Sequence, residues 1–433
     1  MRACCEGSTR EDICRISSGE RGAVPMNYDV AVVGGGAVGL TLACALGDEG
    51  VRVALIESRA APEPVLVGSP AREHFDLRTI AITPVSQRIL EALGVWQRLP
   101  AQRLGAFEHM CVWDTPGRGE VHFDAVDADL PVLGHIVENR ELVHALEQRA
   151  ATLDTVRMYR PATLHDLQAG PHGVTLELDG ARLQARLVAG ADGAHSRVRE
   201  LAGITADVRA YQQHALVAMV RTACPHQATA WQRFLPRGPL AFLPLPDNWC
   251  SVVWSSSPEH AAELERMDEV QFREALGSAY DERLGAVVEV TGRGRFELMR
   301  VQAHRYLAPR VVLLGDAAHT IHPLAGQGVN LGLLDAAVLA ERVASLIAAQ
   351  RDPGIEGDLR AYERSRRGHN LLTGELMTGF NRLFGARFAP AGAARNFALA
   401  IANRTPLLRR LCINYASGLS FELPKLAQQR HRL

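Results

Sequence analysis

An excess of charge of either sign is missing from this sequence: Lys and Arg total 47 against 48 for Asp and Glu, a formal net charge of −1. No net field is available to draw in nucleic acid or an anionic membrane, so DNA or RNA is not an expected partner. Metal-ligand spacing is missing too. Three of the eight cysteines, Cys4, Cys5 and Cys14, crowd the start. Cys44, Cys111, Cys224, Cys250 and Cys412 are scattered without a C-x-x-C pair, which argues against a zinc site and suits a reducing cytoplasm. Nor is there a long apolar run. The most apolar late stretch, 330–350, is broken by Asp335, Glu341 and Arg342, whose burial in lipid is expensive, so no segment is expected to span a membrane. Residues 1–25 lack the apolar core of a secretory signal and read as a disordered extension, with Met26, just ahead of the first predicted strand, as a candidate start.

What is present is enough apolar material for a large core: 47% hydrophobic residues over 433 positions, a length that suits two interleaved domains of a globular enzyme. Residues 28–33 are mostly apolar and β-branched, followed by Gly34-Gly35-Gly36-Ala37-Val38-Gly39, a small-residue helix to about 48, and a second buried strand at 51–56 that ends on Glu57. This pattern predicts a βαβ unit. A Pro- and Ala-rich stretch, 60–70, reads as a surface excursion before a helix at 86–93. Strands at 174–178 and 183–189 flank Asp179-Gly180, a dipeptide suited to a tight hairpin. From about 208 to 300 Trp, Phe and Pro rise and short strands predominate, predicting a sheet that covers a ligand. A buried strand at 311–314 then restores the first pattern, and the chain from Gly328 onward reads as mostly helical.

Three motifs carry chemistry. In Gly34-x-Gly36-x-x-Gly39 the first glycine permits a tight turn, the second lets backbone approach a pyrophosphate, and the third lets helix and strand pack closely. The anion then sits on a helix N-terminus. Glu57, eighteen residues past Gly39, is placed to accept from ribose hydroxyls. The second motif separates FAD from NAD. Gly315-Asp316 puts a carboxylate at a strand end, where ribityl hydroxyls need an acceptor. The loop Pro323-Leu324-Ala325-Gly326-Gln327-Gly328-Val329-Asn330 opens a helix whose N-terminus would stabilise negative charge on a reduced flavin. The third, Asp192-Gly193, again ends a strand ahead of a helix and reads equally as an ordinary Asp N-cap. His319 and His322 have no thiolate nearby and are expected to shape the flavin site, with no metal bound. Trp231, Phe242, Trp249 and Trp254 read as core and pocket wall, the 242–254 region supplying a dry apolar cover.

Together these motifs resemble the class A flavoprotein monooxygenases, the para-hydroxybenzoate-hydroxylase-like group, from residue 28 to about 379. Within that group the chain is most similar to the ubiquinone-biosynthesis hydroxylases. The likeness is carried by Arg78-Thr79-Ile80-Ala81-Ile82 with Leu93-Gly94-Val95-Trp96, by Leu133-Gly134-His135-Ile136-Val137-Glu138-Asn139, by Phe242-Leu243-Pro244-Leu245, and by His322 to Gly332. The resemblance implies that Gly34, Gly36, Gly39 and Glu57 bind the ADP half, and that Arg140 lies near the FAD. It places Asp316 and the loop of Gly326, Gly328, Val329 and Asn330 on the ribityl chain and isoalloxazine, with Pro323, Gly326 and Gln327 at the flavin edge. Asp192 and Gly193 are associated with both FAD and NAD(P)H. Arg78 joins this set, although it reads as well as a surface arginine.

The expectation is therefore an α/β protein: a Rossmann-like FAD-binding domain with an interleaved mixed β-sheet substrate domain and C-terminal helices. The expected divisions are 1–25 extension, 26–205 FAD-binding domain interrupted by substrate-domain segments, 206–300 substrate sheet, 301–370 second part of the FAD-binding domain and 371–433 C-terminal helices. The resemblance implies FAD, NAD(P)H as electron donor, O2, and hydroxylation of a polyprenylated phenol at ring C5 or C6 on the way to ubiquinone. The flavin carries that chemistry, so no separate catalytic side chain is expected. Other ubiquinone-biosynthesis proteins are candidate partners, and the expected location is cytoplasmic with at most peripheral contact with the inner membrane. Helices from 371 to 423, with Phe380, Leu383, Phe384, Phe388 and Phe397, either border a channel for the isoprenoid tail or simply pack together. A flavin dehydrogenase or reductase without oxygen transfer, and a flavin-bearing scaffold, stay open as alternatives.

Overall fold

The computed structural model describes residues 27–60, 75–114, 120–321, 327–385, 405–420 and 422–428. Its first sheet has eight strands, six of them in the order Leu307–Ala308, Val311–Leu313, Ala181–Gly190, Asn27–Val33, Val53–Ile56 and Val156–Tyr159. From Val311–Leu313 to Val156–Tyr159 every pairing is parallel. Both faces of such a sheet are covered, which is why its strands read as continuous apolar runs and why Val32, Val53, Leu55 and Val188 are fully buried. The hairpin turns at Asp179-Gly180, Gly180 at φ +73°, and the strand Leu164–Ala169 extends its edge.

A second eight-stranded sheet is mixed. Its order is His319–Thr320, Val287–Ala303, Ala206–Thr222, Trp249–Ser256, Gly238–Pro244, Thr229–Leu235, His109–Asp114 and Glu120–Asp124. The last two strands come from within 26–205 and enter by a parallel pairing with Thr229–Leu235. His319–Thr320 likewise belongs to this sheet, although it follows directly on the first sheet's Val311–Leu313 strand. A three-stranded sheet, Thr79–Ile82, Gly134–Glu138 and Gly105–Phe107, lies between the two.

Alternation along the second sheet sorts its side chains onto two faces. Leu216, Ala218, Val220, Phe242, Val252 and Trp254 form one apolar core with Leu264 of the helix Pro258–Arg266 and Phe272 and Leu276 of the helix Glu269–Ala279. Both helices start on side-chain caps, Ser257 and Asp268. Phe242 and Trp254, read from the sequence as core and pocket wall, thus lie in the core beneath these two helices. Their strand neighbours make the opposite face, where Met219 and Leu243 pack with Phe75, Leu77 and Phe107, and Ser251 pairs with Thr79 across 2.7 Å.

Among the described residues the fold finishes on the helices Gln327–Ala348, Glu356–Gly385 and Pro406–Ala416. The second crosses the expected 370/371 division without a break. Phe380, Leu383 and Phe384 fall on it, whereas Phe388 and Phe397 lie outside the described residues.

Candidate functional site

The glycine turn follows the first strand. Gly34 takes φ +109°, and a Cβ there would stand 2.3 Å from the Ala191 carbonyl oxygen and 2.9 Å from the Asp192 Cα, so the first and third motifs abut. A Cβ at Gly39 would meet the Gly34 oxygen at 1.9 Å, which is the close packing of helix Ala37–Asp48 on the strand. Gly36 is different: among the described residues no atom lies within 4 Å of where its Cβ would be. It is also the N-cap of that helix, with no side-chain cap among the described residues and no acidic residue in the first turn. Free N–H groups and open space together suit an anion.

Glu57 is buried beside this turn, its carboxylate accepting from the Gly35 N–H at 2.8 Å and from the Arg59 N–H and Nε at 2.8 and 3.1 Å. Burial works to raise its pKa, but these hydrogen bonds and the Arg59 charge outweigh it and hold the carboxyl below its ordinary value. Asp192 is engaged locally: Ser196 Oγ donates to one oxygen at 2.5 Å and the Val198 N–H to the other at 3.0 Å, tying down the start of helix Arg197–Leu201. Gly193 lies in the same turn at φ +84°.

Arg78 and Arg140 meet through a residue that sequence reasoning missed. Asp76 accepts from the Arg78 N–H and from the Arg140 N–H, each at 3.1 Å, and its own N–H donates to buried Glu138 at 2.6 Å. The exposed Arg78 guanidinium lies 4.9 Å from the centre of the Phe296 ring on the second sheet.

Asp316 stands where the two sheets meet, three residues past Val311–Leu313 and three before His319–Thr320. Its side chain is open to solvent, yet surrounding protein desolvates it enough to raise its carboxyl, an effect His319 opposes. Accessible and desolvated at once is the condition of a group at the bottom of a cleft. Gly328 also has no atom of the described residues within 4 Å of a Cβ position. Val329 packs on the main core, and the Gln327 amide donates to the Ala416 carbonyl at 3.0 Å. Asn330 is buried and clamps strand Thr79–Ile82 to the helix: its Nδ2 donates to the Ala81 carbonyl at 2.7 Å and its Oδ1 accepts from the Thr83 N–H at 3.0 Å. His322, Pro323 and Gly326 lie outside the described residues.

On the face of the second sheet opposite the two helices, Gly294, Val217, Val253 and Ala241 lie side by side in register. Val253 and Ala241 are partly exposed although they sit mid-sheet. Among the described residues one group of possible metal ligands converges elsewhere, Cys111, Glu120 and His122. The Arg283 guanidinium holds Glu120 at 2.6 Å and approaches the Cys111 sulfur to 3.7 Å, so a positive charge already occupies that place.

A family model described as an FAD binding domain matches residues 27–371. Relatives include the ubiquinone hydroxylase UbiL of Rhodospirillum rubrum, 38% identical over 92% of this chain and 92% of its own length. The 3-demethoxyubiquinol 3-hydroxylase of Escherichia coli is 37% identical, covering 90% and 98%. The human ubiquinone biosynthesis monooxygenase COQ6 is 35% identical, covering 90% and 92%. The chain belongs to the ubiquinone-biosynthesis FAD hydroxylase family. Among solved structures, the p-nitrophenol 4-monooxygenase PnpA of Pseudomonas putida shares the fold, with a TM-score of 0.73 at 21% identity over 90% of this chain and 98% of that one. For a family defined by FAD, the donor set here fits: an uncapped helix N-terminus with room for a pyrophosphate, and an open carboxylate for a polyol.

Proposed function

We propose that this chain is an FAD-dependent aromatic-ring monooxygenase that hydroxylates a polyprenylated phenol of ubiquinone biosynthesis, with NAD(P)H as reductant and O2 as oxidant. The observation that carries the reading is Asp316, an accessible carboxylate in the turn that joins the parallel dinucleotide-type sheet to the edge of the mixed sheet. In this reading Gly34, Gly36 and Gly39 present the N-terminus of helix Ala37–Asp48 to the pyrophosphate, with Glu57 holding the turn and facing the ribose. Asp316 accepts from the ribityl hydroxyls, and Arg78 and Arg140 close the flavin from the three-stranded sheet. Pro323, Gly326, Gln327, Gly328, Val329 and Asn330 form its edge, and Asp192 and Gly193 brace the pyrophosphate turn from below.

Bound FAD supplies the redox and oxygen-transfer chemistry. The chain's own part is placement and exclusion of water. In this reading an aromatic ring lies against the apolar side chains of Val217, Val253 and Ala241, on the face where Phe75, Leu77 and Phe107 also pack. The divisions 26–205, 206–300, 301–370 and 371–433 are retained as functional units, with 109–124 and 319–320 counted with the substrate sheet. Among the described residues no helix is long and apolar enough to cross a membrane, and a cytoplasmic protein touching the inner membrane peripherally fits a prenylated substrate. The test is the ratio of hydroxylated phenol to NAD(P)H consumed, with H2O2 followed in parallel. Coupled hydroxylation at ring C5 or C6 supports the assignment; flavin reduction with no oxygenated product from any prenylphenol moves the chain to the dehydrogenase class.

A further inference from the structure

Asp335 sits on the helix Gln327–Ala348 among fully buried neighbours, with no exposed side-chain surface of its own. A carboxylate in such a place is costly unless it is paired and its lone pairs are filled. Four donors reach it: His319 Nε2 at 2.6 Å, Arg366 Nε at 2.6 Å, the Gly315 N–H at 3.1 Å and Asn370 Nδ2 at 3.2 Å. Burial works to raise the Asp335 carboxyl, but His319 and Arg366 outweigh it and hold it well below the usual range.

These donors come from distinct parts of the fold. Gly315 begins the turn after the first sheet's Val311–Leu313 strand, and His319 lies on the second sheet's edge strand. Arg366 and Asn370 belong to helix Glu356–Gly385. One carboxylate therefore fixes both ends of the five-residue stretch that contains Asp316. His319 is fully buried, stacks on Tyr306 with ring centres 6.0 Å apart, and has a buried Nδ1 without a partner among the described residues. A buried ion pair contributes little net stability over apolar side chains of equal volume, so the effect of this cluster is on geometry.

We propose that Asp335 is a positioning residue for the cofactor: through the Gly315 N–H and His319 it sets where Asp316 stands toward the ribityl chain. The inference rests on the FAD reading above. The test is a cycle of wild type, Asp316→Ala, Asp335→Asn and the double variant, each titrated with FAD by quenching of flavin fluorescence, with the visible spectrum of the bound flavin and the melting temperature of the apoprotein recorded. Asp335→Asn should weaken FAD about tenfold, the size of one misplaced hydrogen bond, shift the flavin bands, and add no further loss when Asp316 is already Ala. Losses that add, or a lower melting temperature with unchanged affinity and spectrum, overturn the proposal and leave the FAD site standing. An unchanged affinity in Asp316→Ala itself brings down the FAD reading and the inference together. If Asp335→Asn does not fold, His319→Gln enters the same cycle, with the same non-additivity expected and additive losses overturning the proposal.

Discussion

Two glycines three residues apart should respond oppositely to the same methyl group. At Gly36 the backbone is at φ −78° and ψ 178°, which any residue adopts, and no described atom lies within 4 Å of the new Cβ. Ala is a poorer N-cap than Gly, but it also restricts the unfolded chain, and the two effects, each below about 1 kcal/mol, oppose one another. The apoprotein of Gly36→Ala should melt within a degree or two of wild type, on the order of a few tenths of a kcal/mol. At Gly39 the Cβ would stand 1.9 Å from the Gly34 oxygen, against 3.4 Å for ordinary contact, so strand and helix must part by about 1.5 Å. Overpacking of that kind costs about 1–3 kcal/mol. FAD binding should reverse the ranking of what each glycine is for. A methyl at Gly36 displaces the pyrophosphate from N–H donors, and one charged hydrogen bond is worth about 1.5–3 kcal/mol, a loss of roughly 10- to 150-fold in affinity. Thermal melts of both apoproteins and FAD titrations decide the matter. Full FAD affinity in Gly36→Ala, or an apoprotein as damaged as Gly39→Ala, would refute the assignment of the open space to a pyrophosphate.

Asp316→Ala should weaken FAD by about 1–3 kcal/mol, because ribityl hydroxyls lose their acceptor in a desolvated cleft, as read by the dissociation constant. The raised Asp316 carboxyl also has a consequence without cofactor: ionising it opposes folding once pH exceeds its unfolded value, so Asp316→Asn should raise the apoprotein's melting temperature at neutral pH and not at low pH. Glu120 is held down to about 2, first by its hydrogen bond with Arg283, against an ordinary 4.5. That pair therefore stabilises the fold above pH 4.5 and the contribution is lost as pH falls toward 2; in Arg283→Leu, melting temperature should vary less over that window. Ala241→Phe fills the small-residue row and should raise the KM for a prenylphenol at least tenfold, a change of about 1.4 kcal/mol, with FAD affinity unchanged. Equal loss of FAD would place Ala241 in the cofactor site instead.

Much of the first sheet was legible because its signals are local. Gly34, Gly36 and Gly39 announce a turn and a helix within six residues, and Asp179-Gly180 announces a hairpin within two. The partners of Asn330 were not legible, since Ala81 and Thr83 lie some 250 positions upstream. Asp335 was visible only as an interruption in an apolar stretch, and nothing nearby points to Arg366 or His319. The entry of His109–Asp114 into the second sheet depends on a parallel pairing with Thr229–Leu235, a contact no short-range pattern encodes. Phe242 and Trp254 were read by size, whereas the period-two alternation of a strand decides which face each takes: the large rings went to the helices and left Ala241 and Val253 on the other face.

The short run from Leu313 to Thr320 serves both sheets at once, with its first residue in one hydrogen-bonded ladder and its last in the other. Side chains along the small-residue row of the second sheet can be traded one at a time to admit a different ring, since each occupies its own place in the row. Length is another matter. A single inserted or deleted residue between Leu313 and His319 would shift the edge strand His319–Thr320 by one position against Val301–Gln302 and turn His319 away from Asp335. Diversification of this scaffold is thereby channelled into substitutions in that row, with the joint between the sheets held to a fixed count of residues.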